Sequence, residues 1–210
     1  MKNWKFLLII ILALGLFKFI TAEHILYSTT SFDGKYEVQI SQKRGYELIE
    51  RYVYLRVDRR NTPFIEKELL FNGDWLDADF KDYYPNLLWL APNILAIGKH
   101  NENAQDRLRI VNTGDQTLKY LLIETYRDKF IIFDFEPNSV VDLNFYFYGI
   151  LSVQAKIDET SGNFGNAVKL KDNEKSVRNK EFVISISGQD INIEAPGVSL
   201  EKTYCCGIKR

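Results

Sequence analysis

Two histidines, a group of carboxylates and a pair of cysteines are the residues of this chain whose types offer chemistry. His24 and His100 are the only imidazoles among 210 residues. His24 stands beside the processing point expected below, which leaves His100, in the polar run 100–107 (HNENAQDR), as the one candidate general base or imidazole ligand. A Ser-His-Asp triad would rest on it alone, and no Gly-x-Ser-x-Gly elbow occurs. Zinc sites draw on several Cys or His ligands, and no such group forms here. Asp74, Asp77, Asp79 and Asp82 are close enough in sequence to suggest calcium or an acid/base pair. Against that, Asp77 and Asp79 alternate with Leu76, Ala78 and Phe80, as on a solvated strand face, and the glycine and terminal Glu of a calcium loop are missing. The run 161–166 (SGNFGN) lacks the Lys of a phosphate-binding loop. The expectation is no catalytic residue, no metal and no cofactor: not an enzyme.

Binding chemistry is better supplied. Trp75, Tyr83 and Tyr84 border the acidic group, and Tyr146 and Tyr148 share a strand face with Asp142 and Asn144. Aromatic anchors carry much of the energy of protein interfaces, and tyrosine offers rigid area with a polar tip. Each also has an ordinary reading: Trp75 as core, and the Asp142–Tyr148 face as plain solvent surface. Cys205 and Cys206 are the only cysteines. Neighbouring Cα atoms lie ~3.8 Å apart, whereas disulfides prefer roughly 4.4–6.8 Å. The pair therefore cannot staple the fold, which must stand on its core.

The elements that position these residues read as strands. Tyr36, Val38 and Ile40 alternate with polar neighbours after the Asp33-Gly34 turn, and Val53, Leu55 and Val57 repeat the period. Short candidates follow at 69–71 and 76–80, then 87–90 and 94–97 around Ala91-Pro92-Asn93. After the polar run come 108–112, 118–123 and 130–135. Val141, Leu143, Phe145 and Phe147 alternate with polar residues, as do Leu151, Val153, Ala155 and Ile157; 182–186 and 191–193 form a hairpin over Gly188. Residues 158–165 and 171–180 read as polar loops. No sustained helical period appears after residue 22. The predicted organisation is a β-meander over 23–100, a sandwich-like region over 107–195 and a flexible tail over 196–210.

Residues 1–22 have a different character. Lys2 and Lys5 precede twelve apolar residues (6–17, FLLIIILALGLF), and Ala22 closes the segment. This is the order of a secretory signal. The rival reading is a retained membrane anchor over 6–20, short against the roughly 20 apolar residues of a spanning helix and interrupted by Lys18. Either way the basic start stays cytoplasmic, so residues 23–210 are expected outside the cytoplasm. Without 1–22 the chain keeps 24 cations against 28 acids, a net of −4. Mixed, mildly acidic charge has no footprint for nucleic acid. Membrane contact is expected only through residues 6–20, if they are retained. No Asn-x-Ser/Thr sequon occurs, which points toward a bacterial source.

Ser31-Phe32-Asp33-Gly34-Lys35-Tyr36 before an alternating strand, followed by Trp89 and Asn93-Ile94-Leu95-Ala96-Ile97, resembles a pattern in many small exported bacterial proteins. There Pro usually fills the position of Phe32. The pattern is also similar to a propeller-blade hairpin, of which one copy is present. The resemblance covers roughly residues 31–98 and implies a β-meander and no activity. By strand spacing, the run Leu108–Leu143 looks like an immunoglobulin-like or fibronectin-like sandwich. The fold class expected is therefore mostly β: an antiparallel meander plus an immunoglobulin-like β-sandwich, preceded by an N-terminal hydrophobic helix. The function expected is non-enzymatic: an envelope protein of the bacterial periplasm or the outer face of the inner membrane that binds a protein partner. An immunity or inhibitor protein against an extracytoplasmic toxin is the specific form. A carbohydrate- or lipid-binding module is the alternative.

Overall fold

The computed structural model describes residues 4, 10–12, 23–44, 51–59, 72–73, 87–98, 104–125, 128–145, 147, 149–158, 162–170 and 179–203. Residues 4 and 10–12 are helical; most of the expected N-terminal segment lies outside the described residues. No helix among those described is long and apolar enough to cross a membrane. The rest is mostly strand, in two compact units, Met1–Asp82 and Tyr83–Arg210.

The first unit holds one antiparallel sheet in sequence order: β1 (Glu23–Thr30), β2 (Tyr36–Arg44), β3 (Arg51–Arg59) and β4 (Asn72–Gly73). The turn between β1 and β2 explains the Ser-x-Asp-Gly-Lys-Tyr motif residue by residue. The Ser31 hydroxyl donates to Asp33 Oδ1 at 2.7 Å and accepts from the Tyr36 amide at 3.0 Å, while the Lys35 amide donates to Asp33 Oδ1 at 3.0 Å. Those hydrogen bonds, Ser31 first and then Lys35, hold the Asp33 carboxyl below its ordinary value. Gly34 takes φ 72°, which a side chain would strain. Tyr36 and Val38 then point inward and are buried. His24, beside the expected processing point, lies within β1, which pairs with β2 from Glu23 to Thr30 around a bulge between Ile25 and Tyr27.

The second unit is a sandwich. One sheet runs β15-β12-β11-β8-β9-β6-β5, from β5 (Leu87–Ala91), β6 (Ile94–Gly98), β8 (Leu118–Glu124), β9 (Asp128–Phe135), β11 (Ile150–Lys156), β12 (Phe164–Leu170) and β15 (Leu200–Thr203). The other runs β10-β7-β13-β14, from β7 (Asp106–Asn112), β10 (Val140–Phe145), β13 (Glu181–Ser187) and β14 (Asp190–Glu194). Pairing is antiparallel except for β7 with β13. Leu108, Ile110, Phe145, Phe182 and Ile184 of the smaller sheet share one core with Ile123, Phe130, Ile132, Leu151 and Val153 of the larger. The middle of the larger sheet is buried on its second face too, through Leu95, Ile97, Tyr120, Leu122, Ile131 and Phe133. A strand buried on both faces reads as an unbroken apolar run rather than an alternating one, as residues 120–123 of β8 and 130–133 of β9 do.

Two buried polar side chains close the strand ends. Asn112 donates from Nδ2 to the carbonyls of Gln116 and Phe135 (2.9 and 3.0 Å) and accepts the Gly114 amide at Oδ1 (3.1 Å). Asp106 accepts the amides of Phe147 (3.0 Å) and Lys180 (2.8 Å). Phe147 thereby joins Phe145 and Phe182 in an aromatic cluster.

Three placements differ from the pattern of the sequence. The hairpin β5–β6, expected within the 23–100 meander, adds to the larger sheet by pairing with β9. β12 occupies part of an expected loop: Gly165 and Asn166 weaken strand propensity locally, but pairing with β11 on one side and β15 on the other overrides it. β15 itself lies in the expected flexible tail and is tied down by that same pairing. The strand candidates at 69–71 and 76–80 are outside the described residues; β4 falls between them, on Asn72–Gly73.

Candidate binding face

The outer face of the smaller sheet is built by the polar half of each alternating strand. β7 buries Leu108 and Ile110 and so must turn Arg107, Arg109 and Val111 outward. On β10, Leu143 and Phe145 go in while Val140, Asp142 and Asn144 go out. β13 exposes Glu181 and leaves Val183 and Ser185 half-buried; β14 exposes Asp190, Asn192 and Glu194. The register assembles these into three cross-strand rows. Val140, Val111, Ser185 and Asn192 form the first; Asp142, Arg109, Val183 and Glu194 the second; Asn144, Arg107 and Glu181 the third.

The two arginines therefore lie next to each other on one face of an inner strand, with carboxylates on both sides. Arg109 Nε lies 4.0 Å from Asp142 Oδ1, and both side chains are more than half exposed. An exposed pair of this kind holds with roughly 0–1 kcal/mol, so the guanidinium remains open to a carboxylate presented from outside. Asn192 Nδ2 donates to Glu194 Oε1 at 2.7 Å, which fixes the far corner of the face. Val140 and Val111 place an apolar strip along the first row, and half-buried Val183 adjoins it in the second. Planar donors beside an apolar strip, on an exposed sheet face, suit recognition of another surface.

Asp142 and Asn144 belong to the face expected to carry Tyr146 and Tyr148; both are exposed as expected, while the two tyrosines lie outside the described residues. So do Trp75, Tyr83 and Tyr84, His100, the acidic group 74–82 and Cys205–Cys206. Among the described residues no group of three or more His, Cys, Asp or Glu side chains is placed to hold a metal ion.

Sequence reasoning missed Arg107 and Arg109. Their alternation with Leu108 and Ile110 was visible, but any solvated strand shows the same. What distinguishes them is the inner position of β7, created by pairing with strands some 35 and 75 residues further along. It also missed Phe32. The side chains of Ser31 and Asp33 close their turn on each other and on nearby amides, Tyr36 is buried, and Phe32 stands at the tip with 72% of its surface exposed.

The residues carrying the family-like pattern are structural where they are described. Trp89 is buried, with its ring centroid 5.9 Å from that of Phe133. Asn93 donates from Nδ2 to the Phe133 carbonyl at 2.9 Å and receives the Phe133 amide at its own carbonyl at 2.9 Å. No protein-family model, curated protein or solved structure matches the chain.

Proposed function

We propose that the chain is a non-enzymatic exported protein of the bacterial envelope that works by protein–protein contact. Its specific role is that of an immunity or inhibitor protein neutralising a toxin that acts outside the cytoplasm. The observation that carries the reading is the exposed outer face of the smaller sheet, where Arg107 and Arg109 sit on an inner strand among Asp142, Glu181 and Glu194. Export rests on Lys2, Lys5 and the apolar run 6–17. The sandwich is read as immunoglobulin-like, supported by the strand spacing of 108–143 and by two sheets sharing one core. Aromatic anchors expected to contribute are Trp75, Tyr83, Tyr84, Tyr146 and Tyr148.

The test is pull-down from envelope extracts with the wild-type chain and single variants, scored together with protection against the toxin found. Tyr83→Ala, Tyr84→Ala, Tyr146→Ala and Arg109→Ala are expected to weaken capture, each by about 2 kcal/mol or more if it is an anchor. His100→Ala and the pair Asp77→Asn with Asp79→Asn should leave both readouts intact. The opposite pattern would replace the binding reading with an enzyme or metal one. Export is checked separately: a reporter active only in the periplasm, fused after Arg210, should give signal. A reporter working only in the cytoplasm, fused at the same place, should stay silent.

A further inference from the structure

The main-chain hydrogen bonds around β7 show which way β10 faces. Arg107 N–H donates to the Lys180 carbonyl (2.8 Å) and Thr113 N–H to Ile186 (2.8 Å), so the odd-numbered residues of β7 bond toward β13. Asn112 N–H donates to the Ser139 carbonyl (3.1 Å), so the even-numbered ones bond toward β10. Leu143 therefore exchanges ladder bonds with Leu108, and Val141 with Ile110. Val140, Asp142 and Asn144 aim their N–H and C=O groups away from the sheet. These same three residues carry exposed side chains.

The other strand edges are blunted in recognisable ways. At β14 the Ile191 carbonyl accepts Asn166 Nδ2 of the opposite sheet at 2.8 Å, and Asp190 and Glu194 add charge. β5 has an irregular register between Trp89 and Ala91 and runs into Pro92, and β1 has its bulge. β15 is four residues long with Glu201 and Lys202 exposed, and β4 has two residues. β10 has none of these features: six residues in regular register, no Pro, no Lys and one acid. Among the described residues of the second unit it is the one extended edge left ready to pair.

We propose that β10 pairs antiparallel with β10 of a second copy of this chain, about a two-fold axis at Leu143. The charge pattern selects that occupant and that register. With the axis at Leu143, Asp142 of each copy faces Asn144 of the other, and each of those pairs exchanges both of its main-chain hydrogen bonds. On the inner face Leu143 meets its own copy and Val141 meets Phe145, extending the apolar layer across the junction. An axis at Asp142 would set the only two carboxylates of the strands face to face, which destabilises a ladder. The pairing joins two four-stranded sheets into one and brings the two exposed faces side by side. It does not depend on a toxin partner, and it is read by mass rather than by capture.

The experiment is sedimentation of the full-length chain in detergent at high micromolar concentration. The wild type should show twice the single-chain mass. Asn144→Pro should show the single-chain mass with an unchanged circular-dichroism spectrum and, at dilutions where the wild type is also single-chain, the same melting point. The N–H it removes points out of the sheet, where proline is tolerated. A second measurement uses Asp142→Cys and Asn144→Cys, each in a chain carrying Cys205→Ser and Cys206→Ser. Opposed Cα atoms in such pairs lie ~5.5 Å apart, within disulfide reach, whereas residues offset by two positions lie roughly 7–8 Å apart or more. The two proteins mixed should cross-link at least ten-fold more than either alone. A single-chain mass for the wild type, a doubled mass for Asn144→Pro, or equal cross-linking by Asp142→Cys alone would each overturn the proposal.

Discussion

Phe182→Ala is expected to destabilise the second unit by about 3–5 kcal/mol, the range for removing a fully buried aromatic ring. Phe182 is completely buried and holds the aromatic cluster together. Its ring stacks on Phe147 at 4.6 Å and meets Phe145 edge-on at 5.6 Å. The ring cannot be lost without a cavity, because its neighbours are fixed from two sides. Phe145 is held by the β10–β7 ladder, and the Phe147 amide is held by buried Asp106, which also takes the Lys180 amide two residues before Phe182. Collapse into the space would break those hydrogen bonds, so the cavity stays open and the cost falls at the upper end. Phe182→Leu, which refills part of the volume, should cost less than half as much. Urea unfolding gives the measure: the midpoint should fall with an unchanged slope. A loss under about 1 kcal/mol for Phe182→Ala would show that the cluster is not the anchor of the smaller sheet.

The same packing shows what local pattern can reveal and what it cannot. β10 was legible because one face is buried and the other wet, so Val141, Leu143 and Phe145 alternate with Asp142 and Asn144. β8 and β9 were legible as strands for the opposite reason: burial on both faces leaves little room for polar residues. β12 was hidden because Gly165 and Asn166 look like loop. Only the structure shows that Asn166 spends its side chain on the Ile191 carbonyl, plugging an edge of the facing sheet. The partner of the β5–β6 hairpin could not be read either, since Ile94 pairs with Ile132 and nothing within the hairpin encodes a strand so far along the chain. For the candidate face, residue types were readable and neighbours were not. Arg109 becomes part of a surface only when Asp142 and Glu194 arrive on either side of it, and that is a property of strand order.

Glu124→Gln is expected to cost about 3–5 kcal/mol at neutral pH, the usual penalty for removing one member of a buried ion pair. Glu124 and Lys129 face each other across β8 and β9, paired through Lys129 Nζ and Glu124 Oε1, with side chains only 20% and 9% exposed. Burial lowers the Lys129 pKa below its ordinary 10.5, and the Glu124 charge and hydrogen bond oppose that shift. The sign of the pH effect follows. Between the lowered folded value and 10.5 the unfolded chain binds more protons than the folded one, so stability rises with pH through that window. Below the folded value the penalty is at its full size. Without the Glu124 charge the folded value drops further, so the window widens downward and stability should climb more steeply on the alkaline side than in the wild type. Other lysines and tyrosines titrate in both proteins, and the difference between the two curves removes them. Replacing both partners, Glu124→Leu with Lys129→Met, should recover most of the loss, because an apolar pair needs no desolvation of charge. Denaturation midpoints from pH 7 to about pH 10 decide the matter. A single variant as stable as the wild type, or parallel pH curves, would mean that Lys129 relies on Glu124 for nothing. A double variant less stable than Glu124→Gln alone would mean that the pair positions the β8–β9 ladder and is not merely tolerated within it.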